Sequence, residues 1–350
     1  MPSRLVSATA KHSELTTRGE APDSRVATSV VRKGVLASVV ATSGAMLDVV
    51  ERVRQYAPAR APVVLIGATG TGKSLFARAL HEEGGRSGAF VRVTAREVVP
   101  ALAASQFFGH EAGAFTGAVG RHEGFFTLAR GGTLLLDDFH LMHRAVQALL
   151  LRVVEEGVYR PVGGKRDIAV TCRLVFGVGE DLDQLVAERR LLADLRHRMG
   201  YCEVRLPPLA ERREEIPALA YGLLAQCRAE ESELADVPTR FGPGVLGVLE
   251  QLSYPGNVRQ LKQLIKVAML HARDAKDIRL EHLPAWAGAV PVFRRGARRE
   301  ENVSVIAEAL ARSEGNVARA ARMIGTSWRT VARVKGEGGA RVERRGGSAR

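Results

Sequence analysis

Aromatic residues and cysteines are both scarce in this chain, and each scarcity excludes a class of protein. Phe, Trp and Tyr make up 5% of the 350 residues, so a packed core must be built mainly from aliphatic side chains. The three cysteines, Cys172, Cys202 and Cys227, form no CxxC pair. Because three is also an odd number, neither a disulfide framework nor a cysteine zinc site is expected.

Long hydrophobic runs are missing too. No apolar segment approaches the ~20 residues that a helix needs to span a bilayer, and no apolar stretch of the signal-peptide kind follows Arg4 and Lys11. Hydrophobic residues nevertheless make up 46% of the chain, enough for a sizeable core. At roughly 100–200 residues per domain, we expect two or three domains, a cytoplasmic location and no membrane partner.

Negative charge is in deficit. The chain carries 51 Lys and Arg against 38 Asp and Glu, a formal net charge of +13. The excess lies late in the chain, at Arg294, Arg295, Arg298 and Arg299 and again at Arg341, Arg344, Arg345 and Arg350. Such an excess favours a polyanionic partner, because phosphates neutralised by cations release counterions. A solvated basic surface is the alternative.

Hydrophobic patterning separates a part with alternating strands and helices from a part with helices only. Strands are predicted at 62–66, 89–94, 132–137 and 172–178, and helices at 46–56, 73–84 and 143–155. After Pro207 and Pro208 only helices are predicted, at 214–230, 243–252 and 257–272. The order indicates an α/β domain with a parallel sheet covered on both faces, followed by a small all-helical domain.

These patterns divide the chain into six segments. Residues 1–40 are a short N-terminal segment whose composition predicts partial disorder, and 41–207 form the α/β subdomain. Residues 208–285 form the helical subdomain, and 286–300 form a basic linker. Residues 301–338 contain three short helices, at about 303–312, 316–323 and 327–335, and 339–350 are a flexible basic tail.

A phosphate-binding loop follows the first predicted strand. It matches GxxxxGK[ST] at every fixed position and comprises Gly67, Ala68, Thr69, Gly70, Thr71, Gly72, Lys73 and Ser74. A strand before it and a helix after it are the context this motif requires, because backbone N–H groups then wrap around the phosphates of ATP. Lys73 is expected to reach the β- and γ-phosphates, and Ser74 to bind Mg²⁺.

A later apolar strand ends in two acids, Asp137 and Asp138. Next to a phosphate-binding loop, this pattern indicates the second half of a nucleotide site. Asp137 would hold Mg²⁺, usually through water, and Asp138 would polarise the attacking water. An ordinary strand-to-turn junction is the alternative, which the upstream loop disfavours.

The segment 108–118 contains the hexapeptide GAFTGA, formed by Gly113, Ala114, Phe115, Thr116, Gly117 and Ala118. This segment resembles the signature loop of the sigma-54-dependent transcriptional activators, which are AAA+ P-loop ATPases. Small residues around one Phe and one Thr make a thin, mobile tip that suits a contact with another protein. The resemblance implies that ATP-driven movement of the loop remodels sigma-54 RNA polymerase. All six residues of the hexapeptide are candidates for that contact, with Phe115 and Thr116 at its centre.

The resemblance covers about residues 43–283 and resumes near the C-terminus. The segment 254–261, YPGNVRQL, is similar to a motif of the family's helical lid. The similarity implies that Arg259 is the sensor II arginine, which contacts nucleotide from the lid. It also implies a homo-oligomeric ring, usually a hexamer, with ATP between the subunits.

Three positions of the hydrolytic machinery depart from the family pattern. Asp138 stands where the family usually has Glu, and Thr94 where it has the asparagine that pairs with that Glu. The shorter Asp side chain sets the carboxylate back by roughly 1 Å, which can cost on the order of 10²-fold in rate. Gly179 aligns with the sensor I asparagine. A glycine has no side chain with which to orient a γ-phosphate or a water.

The arginine-finger segment, 191–198, departs as well. Leu192 occupies the first finger position and Arg198 the second, while Arg189 and Arg190 lie near enough in sequence to substitute. An arginine supplied in trans is worth roughly 10³–10⁵ in the rate of some phosphate-transfer enzymes. The binding residues are therefore intact while the catalytic ones are depleted.

The last three predicted helices have a helix-turn-helix layout, in which the third helix enters the major groove of DNA. The segment 312–321, RSEGNVARAA, resembles the Fis-type module that ends many of these activators. The candidates for DNA contact are Trp328, Arg329, Thr330 and Arg333, with a core position as the alternative for Trp328. A purely structural three-helix bundle is the competing interpretation.

Two functions of different classes follow from these patterns. The first is a regulator that binds upstream double-stranded DNA and hydrolyses ATP to remodel sigma-54 polymerase, which the complete GAFTGA loop favours. The second is a DNA-binding regulator that binds ATP but hydrolyses little, which Asp138, Gly179 and Leu192 favour. An unrelated AAA+ enzyme would leave the GAFTGA loop unexplained.

Overall fold

The computed structural model describes residues 34–200, 202–231, 237–284, 287, 299–313, 315–324 and 326–335. The predictions for 1–33, for most of the linker and for the tail at 339–350 lie outside these residues. In the described part of the chain, no helix is both long enough and apolar enough to cross a membrane. All three cysteines are free thiols, as their spacing predicts.

Nine short strands and thirteen helices form the described structure. The strands are β1 Val63–Ile66, β2 Phe90–Thr94, β3 Thr133–Asp137, β4 Val158–Tyr159, β5 Ile168–Ala169, β6 Arg173–Val178, β7 Glu203–Arg205, β8 Arg240–Phe241 and β9 Asp277–Ile278. The helices are α1 Gly44–Tyr56, α2 Lys73–Glu83, α3 Ala103–Phe108, α4 Phe125–Leu128, α5 Arg144–Glu156, α6 Leu182–Ala187, α7 Ala193–Arg198, α8 Ile216–Glu230, α9 Val245–Gln251, α10 Asn257–His271, α11 Arg299–Arg312, α12 Val317–Met323 and α13 over 328–335.

A parallel sheet of five strands, in the order β2-β3-β6-β1-β7, forms the centre of the α/β subdomain. Every residue of β1, β3 and β6 is buried, which is why these strands read as continuous apolar runs. The parallel arrangement brings the carboxyl ends of β1, β3 and β6 to one edge of the sheet. The phosphate-binding loop, the paired acids and Gly179 all follow those ends.

The edge strand β7 was not among the predicted strands. It pairs in parallel with β1, aligning Val204 with Leu65. Only Val204 of its three residues is buried, between Glu203 and Arg205. A strand this short with two charged residues carries no hydrophobic periodicity, so its pairing is decided by the tertiary structure.

The small domain has its own core, built by α8, α9 and α10 around residues such as Leu224, Leu249 and Ile265. It is helical as predicted, apart from a two-residue parallel pair formed by β8 and β9. The end of the N-terminal segment is also ordered. Residues Val35–Ser38 form a 3-10 helix, and Leu36 is 1% exposed, so partial disorder does not extend to these residues.

The C-terminal module is a three-helix unit with a small core of its own. That core comprises Ile306, Ala309, Ala320, Ala321, Ile324 and Val331. Helix α11 begins at Arg299, inside the segment predicted as linker. Two side chains cap helices of this module: the N–H of Arg319 donates to the Asn316 side chain, and the N–H of Thr330 donates to Ser327 Oγ at 3.2 Å.

Candidate functional site

The glycines of the phosphate-binding loop adopt conformations that other residues rarely take. Gly70 has φ +81 and Gly72 has φ +113. A Cβ atom on Gly70 would lie 2.2 Å from the carbonyl oxygen of Gly256, in the small domain. Glycine at position 70 is therefore required both for the left-handed turn and for the close approach of the second domain.

Lys73 opens α2 with its side chain folded into the loop. It is 7% exposed, and Nζ donates to the carbonyl oxygens of Gly67 at 2.7 Å and Ala68 at 3.5 Å. Burial lowers the pKa of Lys73, against the opposing charges of Asp137 and Asp138. A buried ammonium at the N-terminus of a helix, surrounded by loop N–H groups, suits a polyphosphate.

Asp137 lies next to this lysine at the end of β3. Its Oδ2 atom accepts hydrogen bonds from Ser74 Oγ at 3.1 Å and from Arg92 Nη2 at 2.8 Å. Gly177 on β6 makes room for the carboxylate, because a Cβ there would lie 2.6 Å from Asp137 Oδ1. A carboxylate and a hydroxyl are ligands that Mg²⁺ prefers. Ser74 and Asp137 therefore fit a Mg²⁺ ion that arrives with nucleotide phosphates.

A metal held by the protein alone is not indicated. Among the described residues, no group of three or more His, Cys, Asp or Glu side chains could hold an ion. This agrees with Mg²⁺ in nucleotide sites, which is usually bound by one or two protein oxygens together with the phosphates.

Asp138 has φ +52, in the left-handed region that Asp tolerates better than most residues do. Its N–H donates to Asp137 Oδ1 at 3.1 Å, and the residue lines the same cavity as Lys73. Thr94 lies opposite Asp137 in the register of β2 and β3. Within the described residues no hydrogen bond joins Thr94 to Asp138, and the Thr94 N–H donates to the Glu97 carboxylate instead.

The small domain contacts the phosphate-binding loop through the first turn of α10. Asn257 is 3% exposed, and its Nδ2 donates to the Thr69 carbonyl oxygen at 2.9 Å. Its Oδ1 accepts the N–H of Leu209 at 2.8 Å, and the N–H of Val258 donates to the Gly70 carbonyl at 3.1 Å. These bonds fix the lid against the loop at the point where phosphates would bind.

A cavity of about 710 Å³ lies between the two domains. Its polar lining residues include Thr69, Thr71, Lys73, Ser74, Arg92, Asp137, Asp138, Arg212 and Arg259, and its apolar lining includes Val39, Val40, Met46, Leu219 and Leu223. Arg259 is exposed at this cavity, and its charge adds to burial in lowering the pKa of Lys73. The volume suits a nucleotide-sized ligand with an apolar base and an anionic tail.

A buried ion pair connects this cavity to the segment before α1. Arg212 is 3% exposed and Glu215 is fully buried, with Arg212 Nη1 3.3 Å from Glu215 Oε2. Arg212 also donates to the Thr71 carbonyl at 3.3 Å. The other oxygen of Glu215 accepts the N–H of Ser43 at 2.9 Å and its hydroxyl at 2.7 Å. One network thus joins the loop, the lid and the N-cap of α1.

The GAFTGA segment forms a tight loop beside the sheet. Gly113 and Gly117 have φ +77 and +101, and the Gly113 N–H donates to the Ala118 carbonyl at 2.8 Å. The Phe115 ring packs edge-on against His110, with centroids 4.9 Å apart, and stays 42% exposed. Ala114 is half-buried, and Thr116 is exposed.

One residue of the hexapeptide does not lie on the surface. Ala118 is 7% exposed, so it cannot offer much area to a partner, whereas Val119 just after it is 95% exposed. Val119 was not among the predicted contact residues. An isolated exposed valine in a glycine-rich segment has no pattern that could have singled it out.

The third helix of the C-terminal module carries the four candidate DNA contacts on or near its first turns. Trp328 is 59% exposed, so it is not a core residue. The Arg329 guanidinium lies 5.7 Å from the centre of the Trp328 ring. Arg329 and Arg333 are exposed, and the Thr330 hydroxyl lies 2.8 Å from Ser327 Oγ.

Comparison with known proteins agrees with each part of this architecture. A model of the sigma-54 interaction domain matches residues 39–205, a model of the AAA+ ATPase lid domain matches 210–289, and one of the Fis family of bacterial regulatory proteins matches 299–333. A Nif-specific regulatory protein of Rhizobium leguminosarum bv. trifolii is 39% identical over 247 residues, which are 70% of this chain and 68% of the relative. The chain belongs to the sigma-54-dependent transcriptional activators.

Other activators and a solved structure support the same assignment. A Nif-specific regulatory protein of Herbaspirillum seropedicae is 40% identical over 232 residues, 66% of this chain. The match spans only 42% of that relative's length. The crystal structure of NtrX from Brucella abortus in complex with ATP shares 30% identity at a TM-score of 0.63, over 85% of this chain and 68% of the NtrX chain. The predicted family and the predicted AAA+ fold are confirmed.

The finger segment of this activator is held in place by one buried glutamine. Gln147 is fully buried, and its Nε2 donates to the Arg190 carbonyl at 2.8 Å while its Oε1 accepts the Leu192 N–H at 3.0 Å. Leu192 packs against the hydrophobic core. It therefore fills an apolar position inside its own subunit.

Three arginines in or just before this segment, Arg189, Arg190 and Arg198, differ in how strongly their side chains are held by neighbouring acids. Arg190 forms two hydrogen bonds with Glu180, at 2.7 and 2.9 Å, which raise its pKa. Arg198 is 61% exposed, with Nε 3.2 Å from Glu155 Oε1. Arg189 is exposed with φ +59, and no described residue forms an ion pair with its side chain. Arg190 is thus the least suited of the three to act on a neighbouring subunit.

Three residues of the site escaped sequence reasoning. Arg92 contacts Asp137 from a neighbouring strand, Arg212 lines the cavity, and Asn257 bridges the lid and the loop. The YPGNVRQL motif contains Asn257, so that motif was a usable signal. Arg92 and Arg212 are ordinary basic residues in the sequence, and only their three-dimensional neighbours distinguish them.

Proposed function

We propose that this activator binds DNA through its C-terminal module and uses ATP to remodel sigma-54 RNA polymerase through its GAFTGA loop. The observation that carries the proposal is that the phosphate-binding cavity and the complete GAFTGA loop occur in the same chain. Lys73, Ser74 and Asp137 line a cavity of about 710 Å³, and the complete GAFTGA loop belongs to the same subdomain, with Phe115 exposed. A protein that only binds DNA has no need of such a loop.

In the nucleotide site, the loop N–H groups and Lys73 would bind the phosphates. Ser74 and Asp137 would hold Mg²⁺, which when bound neutralises the charge that develops on the phosphates. Arg259 would contact nucleotide from the lid, since it is exposed at the cavity. Asp138 would accept a proton from the attacking water, because its carboxylate follows Asp137 directly at the carboxyl edge of the sheet.

For the polymerase contact, Phe115 and Thr116 are the candidates, joined by Val119. The tip of this loop exposes an aromatic ring, a hydroxyl and a branched apolar side chain, which together suit a protein surface. Gly113, Ala114 and Gly117 would allow the tip to change shape. Ala118 would act as the anchor of the loop, since it is buried.

For the DNA contact, Arg329 and Arg333 are exposed on the third helix of the C-terminal module, with Trp328 beside them. Arg329 and Arg333 can reach phosphates or base edges. The basic excess of the chain, +13 overall, would add salt-sensitive affinity. The Thr330 hydroxyl would have to leave Ser327 Oγ, 2.8 Å away, before it contacts DNA.

We also propose a homo-oligomeric ring, usually a hexamer in this family, with ATP between subunits. Arg198 and Arg189 are the exposed arginines that could reach a neighbour's phosphate. Because Leu192 occupies one finger position, ATP hydrolysis in such a ring would depend on these two arginines. Arg198 would first have to break its ion pair with Glu155.

The second candidate is a nucleotide-binding regulator that hydrolyses ATP slowly or not at all. The observation in its favour is that Asp138 replaces a Glu, Gly179 has no side chain, and Leu192 packs inward. Asp138 has a shorter side chain than Glu, and Gly179 and Leu192 lack the polar side chains of the family, while the residues of the phosphate-binding loop are all present. Such a protein would act as an ATP-dependent DNA-binding partner.

Steady-state ATP turnover by the purified chain, with nucleotide affinity measured in parallel, separates the two. Lys73→Ala serves as the inactive reference. Asp138→Asn is the matched variant, because Asn tolerates the left-handed conformation and differs only in charge and proton acceptance. A remodeller is expected to lose roughly 10² to 10⁴ in turnover on Asp138→Asn with its ATP affinity retained. A parent chain that binds ATP but turns over no faster than Lys73→Ala would leave the second candidate.

A further inference from the structure

Gly179 lies immediately after β6, beside the end of β3, and its missing side chain leaves a space. That space is filled by a side chain from the turn that follows β3. A Cβ atom on Gly179 would lie 3.1 Å from Cε1 and 3.3 Å from Nε2 of His140. The imidazole of His140 therefore occupies the position that a larger residue at 179 would take.

His140 comes from the turn that directly follows the paired acids. The residue is 8% exposed, and the Gly179 N–H points to its Nδ1 at 3.4 Å. If Nδ1 accepts, the ring proton is on Nε2. Glu180 Oε1 lies 3.7 Å from Nε2, which is too long for a hydrogen bond. Among the described residues, Nε2 has no hydrogen-bond partner.

His140 follows Asp138, a lining residue of the phosphate cavity, by two positions in the same turn. Burial lowers the pKa of His140, and the charges of Glu180, Arg190, Asp138 and Lys73 all act on it. Lys73 and Asp138 belong to the phosphate cavity. The position of Glu180 is fixed by its two bonds to Arg190. The ring therefore lies beside this ion pair, in the turn that begins at the cavity residue Asp138.

We propose that His140 supplies to the terminal phosphate of bound ATP the hydrogen-bonding side chain that position 179 lacks. The group has moved from the end of β6 to the turn after β3, and its Nε2–H is the donor. This inference rests on the proposed nucleotide site. It explains how position 179 can be a glycine while a neutral hydrogen-bond donor is still supplied to the γ-phosphate. It also predicts that residues 140 and 179 are exchangeable as a pair.

The exchange provides the test. His140→Ala removes the donor, and Gly179→Asn alone would force a side chain into the imidazole. The double variant His140→Gly with Gly179→Asn moves the donor back to β6 without the clash. His143→Ala is the matched control, because His143 is an exposed histidine that caps α5 and lies outside the cavity. Thermal melting of each variant checks that it is folded.

Two measurements are made on each full-length variant: the affinities for adenylyl imidodiphosphate and for ADP, and the kcat and KM for ATP. His140→Ala is expected to lower the affinity for the triphosphate analogue about tenfold while ADP affinity is unchanged, since only the terminal phosphate loses a charge-assisted bond. It is expected to lower kcat by roughly 10²-fold, the effect of removing one transition-state donor. The double variant should recover most of both losses.

The outcomes separate this inference from the proposed function. A folded His140→Ala variant with the parent's ratio of triphosphate to ADP affinity overturns the assignment, whatever its turnover. A parent chain without turnover whose affinity ratio still depends on His140 upholds the assignment and rejects ATP hydrolysis. A parent chain that binds nucleotide no better than Lys73→Ala rejects both. A double variant that stays as poor as His140→Ala would also contradict the exchange.

Discussion

Asn257 is the residue whose replacement should most directly separate the lid from the phosphate-binding loop. Its side chain makes two hydrogen bonds, to the Thr69 carbonyl at 2.9 Å and from the Leu209 N–H at 2.8 Å. Its backbone has φ +50, and it is 3% exposed. Replacing it by Ala removes both bonds and puts a Cβ-bearing residue without local hydrogen bonding in the left-handed region.

The magnitude follows from these three contributions. The N–H of fully buried Leu209 would be left without a partner, at a cost of about 1–3 kcal/mol. The exposed Thr69 carbonyl can recruit water, so its lost bond costs about 0.5–1.5 kcal/mol. The left-handed conformation adds about 1–2 kcal/mol for Ala and nothing for Gly. Asn257→Ala is therefore expected to destabilise the folded chain by about 2.5–6.5 kcal/mol, and Asn257→Gly by about 1.5–4.5 kcal/mol.

A urea titration followed by circular dichroism measures the loss, and a fluorescent ATP analogue measures binding. Asn257→Asp is the matched variant, because Asp keeps the shape, the backbone preference and the acceptor for Leu209 but loses the donor to Thr69. It should bind the ATP analogue more weakly than the parent, since it adds negative charge beside the phosphates. An Asn257→Gly chain with parental stability and parental ATP affinity would refute the idea that this residue fixes the lid to the loop.

Further predictions concern stability, pH and the loop. Arg173 is 1% exposed and donates to the carbonyl oxygens of Tyr56, Ala57 and Ala61. Because Arg173→Met leaves these three carbonyl oxygens without that donor, it should lower the unfolding free energy by about 3–5 kcal/mol in denaturant titration. Burial lowers the pKa of His140, so the native chain takes up its proton less readily than the unfolded chain. Stability should then fall as pH drops through about 6.5, and His140→Gln should flatten that slope in pH-dependent melts. Phe115→Ala, which removes a half-exposed ring, should abolish promoter opening by sigma-54 polymerase while ATP turnover persists. Loss of turnover would mean that the ring supports the fold.

Much of this chain is legible without a structure because its main motifs are local. The phosphate-binding loop lies between an apolar strand and a helix, and the paired acids end another apolar strand. A hydrophobic strand buried on both faces has a distinct signature, so β1, β3 and β6 could be located to within a residue or two. The helices of the lid and of the C-terminal module have regular apolar faces and were predicted with similar accuracy, except that α11 begins four residues before its predicted start.

The sequence was less informative where a contact joins distant residues. Strand β7 has one buried residue, and its pairing with β1 depends on the sheet already being present. The exposure of Trp328, left open between core and surface, was decided by how the three short helices pack around the core of Ile306 and Val331. Ala118 was predicted to be a contact residue because it belongs to a motif, yet the loop folds it inward.

By itself, the sequence determined the family, the phosphate-binding loop and the order of the domains, because each depends on residue types at fixed short spacings. Only the tertiary structure decided which side chains meet. Asn257 reaches Thr69 across 188 positions, and His140 reaches Gly179 across 39. Such contacts between distant residues arise because the parallel strands bring their carboxyl ends to one edge of the sheet and a second domain covers that edge. A side chain that is absent at one position of the sequence can therefore be replaced by a residue that is close only in the folded structure, which no local sequence pattern reveals.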